Sequence, residues 1–71
     1  MYGKRLREER KRLGLTLEQV AQRLNTTHTN VSRYENKKRK VDVETLAILC
    51  RLYNVSADYI IGLTDERKTL K

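Results

Sequence analysis

Apolar residues recur along the chain at three- and four-residue steps, and no segment alternates long enough to make a convincing strand. The spacing predicts five short helices. Leu6, Arg10 and Leu13 line one face of the first, over Gly3 to Leu13, with Gly14 as its stop. Thr16-Leu17-Glu18-Gln19 reads as a capping box. Its Thr hydroxyl satisfies one free N–H and its Gln side chain reaches back to another. The helix it opens carries the stripe Val20, Ala21 and Leu24, and Asn25 and Thr26 turn the chain. Thr27 caps a third helix, His28 to Asn36, with Val31 and Tyr34 facing inward. Lys37 to Val41 is a loop. Asp42 caps a fourth helix, in which Leu46, Leu49, Cys50 and Tyr53 share a face. Ser56 caps a fifth around Tyr59 and Ile60, and Gly62 ends it. Residues 63–71 read as a polar tail or the start of a linker, which places one all-α domain at residues 1–62. An N-cap side chain contributes ~1 kcal/mol, a useful amount where the core is small.

Composition narrows the class. The 71 residues are 38% hydrophobic and 35% charged, which suits a folded domain better than a disordered tail. A chain this short hides only ~60% of its unfolded surface, so one modest core is expected. No apolar run approaches the ~20 residues that cross a bilayer, and the N-terminus leads directly into charged residues, so no signal peptide is expected. One cysteine excludes an internal disulfide, and one Cys with one His excludes a structural zinc site built from those ligands. No cofactor is implied, and no nucleophile, acid/base pair or metal cluster suggests an enzyme. Cys50 is expected as a small core hydrophobe. The location expected for such a chain is the cytoplasm.

The net charge of +7 is unevenly placed. Residues 1–15 carry six bases against Glu8 and Glu9, a net of +4; residues 33–40 carry five bases against Glu35, again +4. Residues 16–32 are neutral and residues 41–71 carry −1. Two basic blocks around a neutral middle are the electrostatic footprint of a polyanion partner.

The middle itself carries the candidate chemistry. About three residues separate the second and third helices, too few for an antiparallel hairpin, so the two must cross steeply. Ala21 is the small residue at the expected crossing. Asn25 stands where the chain leaves its helix sharply, a place that calls for positive φ, which Asn tolerates best after Gly. This geometry exposes His28, Thr29 and Asn30 and, one turn later, Arg33. Short polar side chains plus one Arg on an exposed helix start suit the donor and acceptor pattern of a DNA major groove.

Leu15 to Leu24, Thr26-Thr27 and Val31-Ser32-Arg33-Tyr34-Glu35-Asn36, followed by Val55 to Gly62, resemble the phage-repressor and Cro type of helix-turn-helix protein, the XRE family. The resemblance covers about residues 3–62. It implies a five-helix, lambda-repressor-like domain with the helix-turn-helix formed by the second and third helices. It implies a regulator of transcription, most often a repressor, that binds double-stranded operator DNA as a symmetric homodimer, bacterial or phage-encoded and nucleoid-associated. Carried over by position, the implied base readers are His28, Thr29, Arg33 and, as a further candidate, Asn30. The implied phosphate contacts are Thr16, Thr27, Asn36, Lys38, Arg39 and Lys40. Arg10 and Glu35 match positions that pair between the first and third helices. Leu17, Asn25, Lys37 and Val41 depart from the family pattern, where Gln, Gly, Gly and Pro are common. A left-handed backbone at Lys37 would cost ~1–2 kcal/mol.

Ile48 and Leu52, four apart on the fourth helix, form a candidate dimer patch with Ala57, Tyr59 and Ile61. Two alternatives stay open at this level. One is a protein-interaction module, antitoxin or coactivator-like, with DNA secondary. The other is nonspecific polyanion binding, to RNA or a membrane surface. A C-terminal sensor domain or a second protein partner is compatible with either end of that range.

Overall fold

The computed structural model describes residues 2–67, and the 68–71 part of the expected tail lies outside the described residues. The five helices run α1 Tyr2–Arg12, α2 Leu17–Leu24, α3 His28–Glu35, α4 Val43–Tyr53 and α5 Ala57–Ile61, with no strand among the described residues. Their starts follow local chemistry. Thr16, Thr27, Asp42 and Ser56 each accept a hydrogen bond from the backbone N–H three residues on. At α2 the box is complete, because Gln19 Oε1 also accepts from the Thr16 N–H at 2.8 Å.

The ends use the left-handed region. Asn25 (φ 55°) closes α2 and Asn54 (φ 57°) closes α4, the side chain that tolerates that region best after glycine. Lys37 follows α3 at φ 60°. It keeps the glycine-type geometry expected at that position without a glycine. α1 stops at Arg12, one residue before the expected Leu13. The Leu13 N–H bonds the Glu9 carbonyl in the closing turn, and the Leu13 side chain is 43% exposed rather than on the core face.

The core is a single cluster that draws on all five helices and the segments between them. Leu6, Val20, Ala21, Val31, Leu49, Tyr53, Val55 and Ile60 are all nearly or fully buried. α3 packs on both α1 and α2. Gly3 permits that approach: a β-carbon there would run into the Glu35 carbonyl at the end of α3. Cys50 lies in the core, and burial pushes its thiol pKa up, away from the reactive thiolate.

Candidate nucleic-acid interface

α2 and α3 are joined by Asn25, Thr26 and Thr27 and pack closely on each other. With Val31 and Tyr34 turned inward, the outer side of α3 presents His28, Thr29 and Arg33, all exposed. Beside it the starts of α2 and α3 flank a shallow groove of about 480 Å³ lined by Arg10, Leu15, Thr16, Leu17, Glu18 and His28. The Thr16 and Thr27 hydroxyls already accept from Gln19 and Asn30, so both are occupied as caps. Any contact they add to an outside anion comes from the free N–H groups of the same helix starts.

Asn30 differs from the other expected base readers. It is half-buried, and its Nδ2 donates to Thr26 Oγ1 at 2.8 Å. Its amide therefore braces the turn between α2 and α3. Asn36 is exposed, with Nδ2 on Ser32 Oγ at 3.2 Å. Lys38, Arg39 and Lys40 are exposed on the loop that follows α3. That loop is tied back twice: the Lys38 N–H bonds the Arg33 carbonyl at 2.8 Å, and the Tyr2 hydroxyl donates to the Arg39 carbonyl at 3.4 Å.

Behind this face Arg10 of α1 grips Glu35 of α3 with two parallel bonds, Nε to Oε2 at 2.7 Å and Nη2 to Oε1 at 3.1 Å. Arg10 Nη1 adds the Leu15 carbonyl at 3.0 Å. The two side chains are 11% and 5% exposed. The bond to Glu35 raises the Arg10 pKa further, against the opposing effect of burial. A bidentate pair of this kind fixes direction as well as distance, so it fastens the last turn of α3 to α1.

The expected dimer residues are unequally exposed. Tyr59 is only 8% exposed and lies in the core, with the Arg5 guanidinium stacked 4.3 Å above its ring. Ala57 and Leu52 are half-buried. Ile48 and Leu52 line a groove with Arg23 and Arg51. Ile61, 47% exposed, lines a different one with Tyr2, Val41 and Leu46.

Sequence reasoning missed three charged residues of α1. Glu9 is fully buried between Arg12 and Arg67, and Arg5 binds the segment after α5. Residues 64–67 therefore run back against α1 instead of leaving the domain. No group of three or more His, Cys, Asp or Glu residues could hold a metal among the described residues. No helix among them is long and apolar enough to cross a membrane.

Comparison with known proteins follows the same outline. A family profile described as Helix-turn-helix matches residues 6–60. YobD of Bacillus subtilis (strain 168), an uncharacterized HTH-type transcriptional regulator, is 46% identical, with 100% of this chain and 69% of YobD aligned. The HTH-type transcriptional regulator ImmR of the same strain is 44% identical over 93% of this chain and 52% of ImmR. Antitoxin PezA of Streptococcus pneumoniae serotype 4 (strain ATCC BAA-334 / TIGR4) is 36% identical over 87% of this chain and 39% of PezA. The chain thus spans from about two-fifths to about two-thirds of the lengths of these relatives. Among solved structures, the P22 c2 repressor protein in complex with a synthetic operator superposes with a TM-score of 0.79, covering 84% of this chain and 91% of that one at 23% identity. At that identity the likeness is one of fold.

Proposed function

The chain belongs to the XRE-type helix-turn-helix family, and from that premise we propose that it is a sequence-specific double-stranded DNA-binding regulator of transcription, a cytoplasmic repressor that binds a palindromic operator as a homodimer. It works as a binding protein and not as an enzyme. The observation that carries this reading is the outer side of α3: His28, Thr29 and Arg33 stand free on a helix whose direction is held from inside by Arg10 and Glu35.

In this reading the helix enters the major groove. Arg33 donates two bonds to guanine O6 and N7, and His28 and Thr29 meet neighbouring base edges. Asn30 supports them by bracing Thr26. The free N–H groups at the starts of α2 and α3, capped by Thr16 and Thr27, meet phosphates together with Asn36, Lys38, Arg39 and Lys40. These contacts supply affinity and register but carry no sequence information. Ile61 at the end of α5 and Leu63 just after it are exposed apolar residues available for pairing two copies. The relatives' names and the operator bound to the P22 c2 repressor support this reading.

The test is selection of duplexes from a random pool with purified protein at two salt concentrations. An enriched inverted repeat with half-sites ~10 bp apart is expected for a dimer that reads successive grooves. Binding without enrichment that collapses as salt rises would leave charge alone as the cause and refute specific readout. The similarity to Antitoxin PezA favours a second reading, in which a protein partner is the main target. Co-purification of a defined partner that blocks duplex binding would select it.

A further inference from the structure

α1 carries charged side chains that the DNA reading does not use. Arg5 and Glu9 lie one turn apart on α1 and both reach the segment that follows α5. The Glu9 side chain is fully buried, and each of its oxygens has a partner: Oε1 accepts from Arg12 Nε and Oε2 from Arg67 Nε, both at 2.8 Å. Arg12 Nη2 also donates to the Tyr53 carbonyl at 3.0 Å, which ties the same carboxylate to α4. One turn earlier the Arg5 guanidinium donates to the Tyr59 and Thr64 carbonyls and, at 2.8 Å, to Asp65 Oδ1. Residues 64–67 are strapped along α1 by these two side chains.

α3 sits against α1 through other residues. Gly3 admits the Glu35 carbonyl, and Arg10 grips the Glu35 carboxylate. Glu9 and Arg10 are consecutive, so the strap and the recognition helix are held by neighbouring residues of one rigid element. Charges from both pairs act on the buried Tyr53 phenol. Burial raises its phenol pKa most, Glu35 and Glu9 add to that, and Arg10 opposes it.

We propose that Glu9 is a positioning residue for the recognition helix: paired with Arg67 and Arg12, it sets the orientation of α1 and, through Arg10, the presentation of α3 to DNA. The inference rests on the DNA-binding reading above. The physical reason is the cost of an orphaned buried oxygen. Without Arg67, Glu9 Oε2 loses its partner, and the opening left by that half-exposed side chain is its nearest water. Rotating α1 to bring that oxygen to solvent relieves the penalty, and the same rotation carries Arg10 and Glu35 with it. Strap and DNA then bias one packing arrangement, and the coupling between them must be reciprocal.

The probe is the duplex enriched by selection, used at a temperature where every variant is fully folded by circular dichroism. Arg67→Ala is expected to weaken binding by ~5-fold or more, the lower range of a coupling between sites. In a Glu9→Gln background the same change should weaken it no further. If Arg67 instead met a phosphate directly, the two losses would add and the salt slope would drop by about one contact; that result overturns the proposal. The second measurement needs no variant. The Glu66 N–H, bonded to Thr64 Oγ1 at 3.2 Å, lies within the strap. Its hydrogen exchange in the unmodified chain should slow by ~5-fold when duplex is bound, and an unchanged rate overturns the proposal. A merely structural Glu9 would lower the melting temperature and move neither readout. If the unmodified chain binds no duplex, the DNA reading falls and this inference with it. If it binds without coupling, only this inference falls.

Discussion

Replacing Glu35 by alanine removes one end of the Arg10 grip and leaves the other in place. Arg10 then keeps a single acceptor, the Leu15 carbonyl at 3.0 Å, for a guanidinium whose side chain is only 11% exposed. Truncating one partner of a buried pair costs ~3–5 kcal/mol because the remaining charge stays buried without its counter-ion. Arg10 retains some contact with water, so the lower end applies. A domain of this size is stable by only about 4–10 kcal/mol in total. A loss of ~3 kcal/mol should lower Tm by about 12–24 °C at ~4–8 °C per kcal/mol. Thermal melts followed by circular dichroism, with urea titrations to check that the m-value is unchanged, measure it directly. The companion double variant, Arg10→Met with Glu35→Leu, removes both charges and should recover most of the loss, since a buried pair often gives way to apolar residues at little net cost. A fall in Tm below ~4 °C for Glu35→Ala would refute the reasoning, because it would mean that the pair is solvated and does not hold α3.

Three further outcomes test other parts of the structure. Arg33→Ala should weaken operator binding by ~1–3 kcal/mol and relax preference at one base position; equal weakening on all duplexes would assign it to a phosphate. Gly3→Ala should destabilise the domain although alanine is the better helix former by ~0.5–1 kcal/mol, because its β-carbon meets the Glu35 carbonyl; a higher melting temperature would show that α1 and α3 can part freely. The Thr45 hydroxyl, and then its N–H, hold the Asp42 pKa below the usual carboxylate value. A depressed folded-state pKa gives stability that is full above the unfolded value, ~3.9, and is lost as pH falls through the folded one. Asp42→Asn, a cap that does not titrate, should therefore flatten part of the decline in Tm below about pH 5; an unchanged acid limb would place that decline elsewhere.

What the sequence disclosed about the fold follows from the range of the interactions. The four N-caps each act within three residues, so a Ser, Thr or Asp before an apolar stripe was enough to start every helix from α2 to α5. Asn25 was legible as a left-handed exit for the same reason. Asn54 does the same work at the end of α4 and carries the same signal, since three residues join α4 to α5 as three join α2 to α3. The candidate interface was legible as far as its polarity, through the exposed start of α3 and the basic loop. Asn30 was not, because its half-burial depends on Thr26 turning its hydroxyl inward at the bend.

The remainder was hidden for a physical reason that α1 makes plain. In the run Arg7-Glu8-Glu9-Arg10-Lys11-Arg12, helical period places Glu9, three residues from Leu6, on the Leu6 face and Glu8 on the opposite one, but a carboxylate among so many charges reads as solvated until its partners are known. The helix ends at Arg12, before Leu13 can extend the Leu6–Arg10 face. What buries Glu9 is a guanidinium 58 residues away, and what pins Arg5 lies as far as 60 residues away. A charged residue becomes interior only when its partner arrives, so its burial belongs to the pair and not to either position. The same holds for Tyr59: a five-residue helix has too little length to show a period, and the guanidinium stacked over its ring comes from Arg5, 54 residues away. For a small domain with an abundance of arginine, the positions hardest to read from sequence are therefore the ones where a guanidinium closes the core from outside.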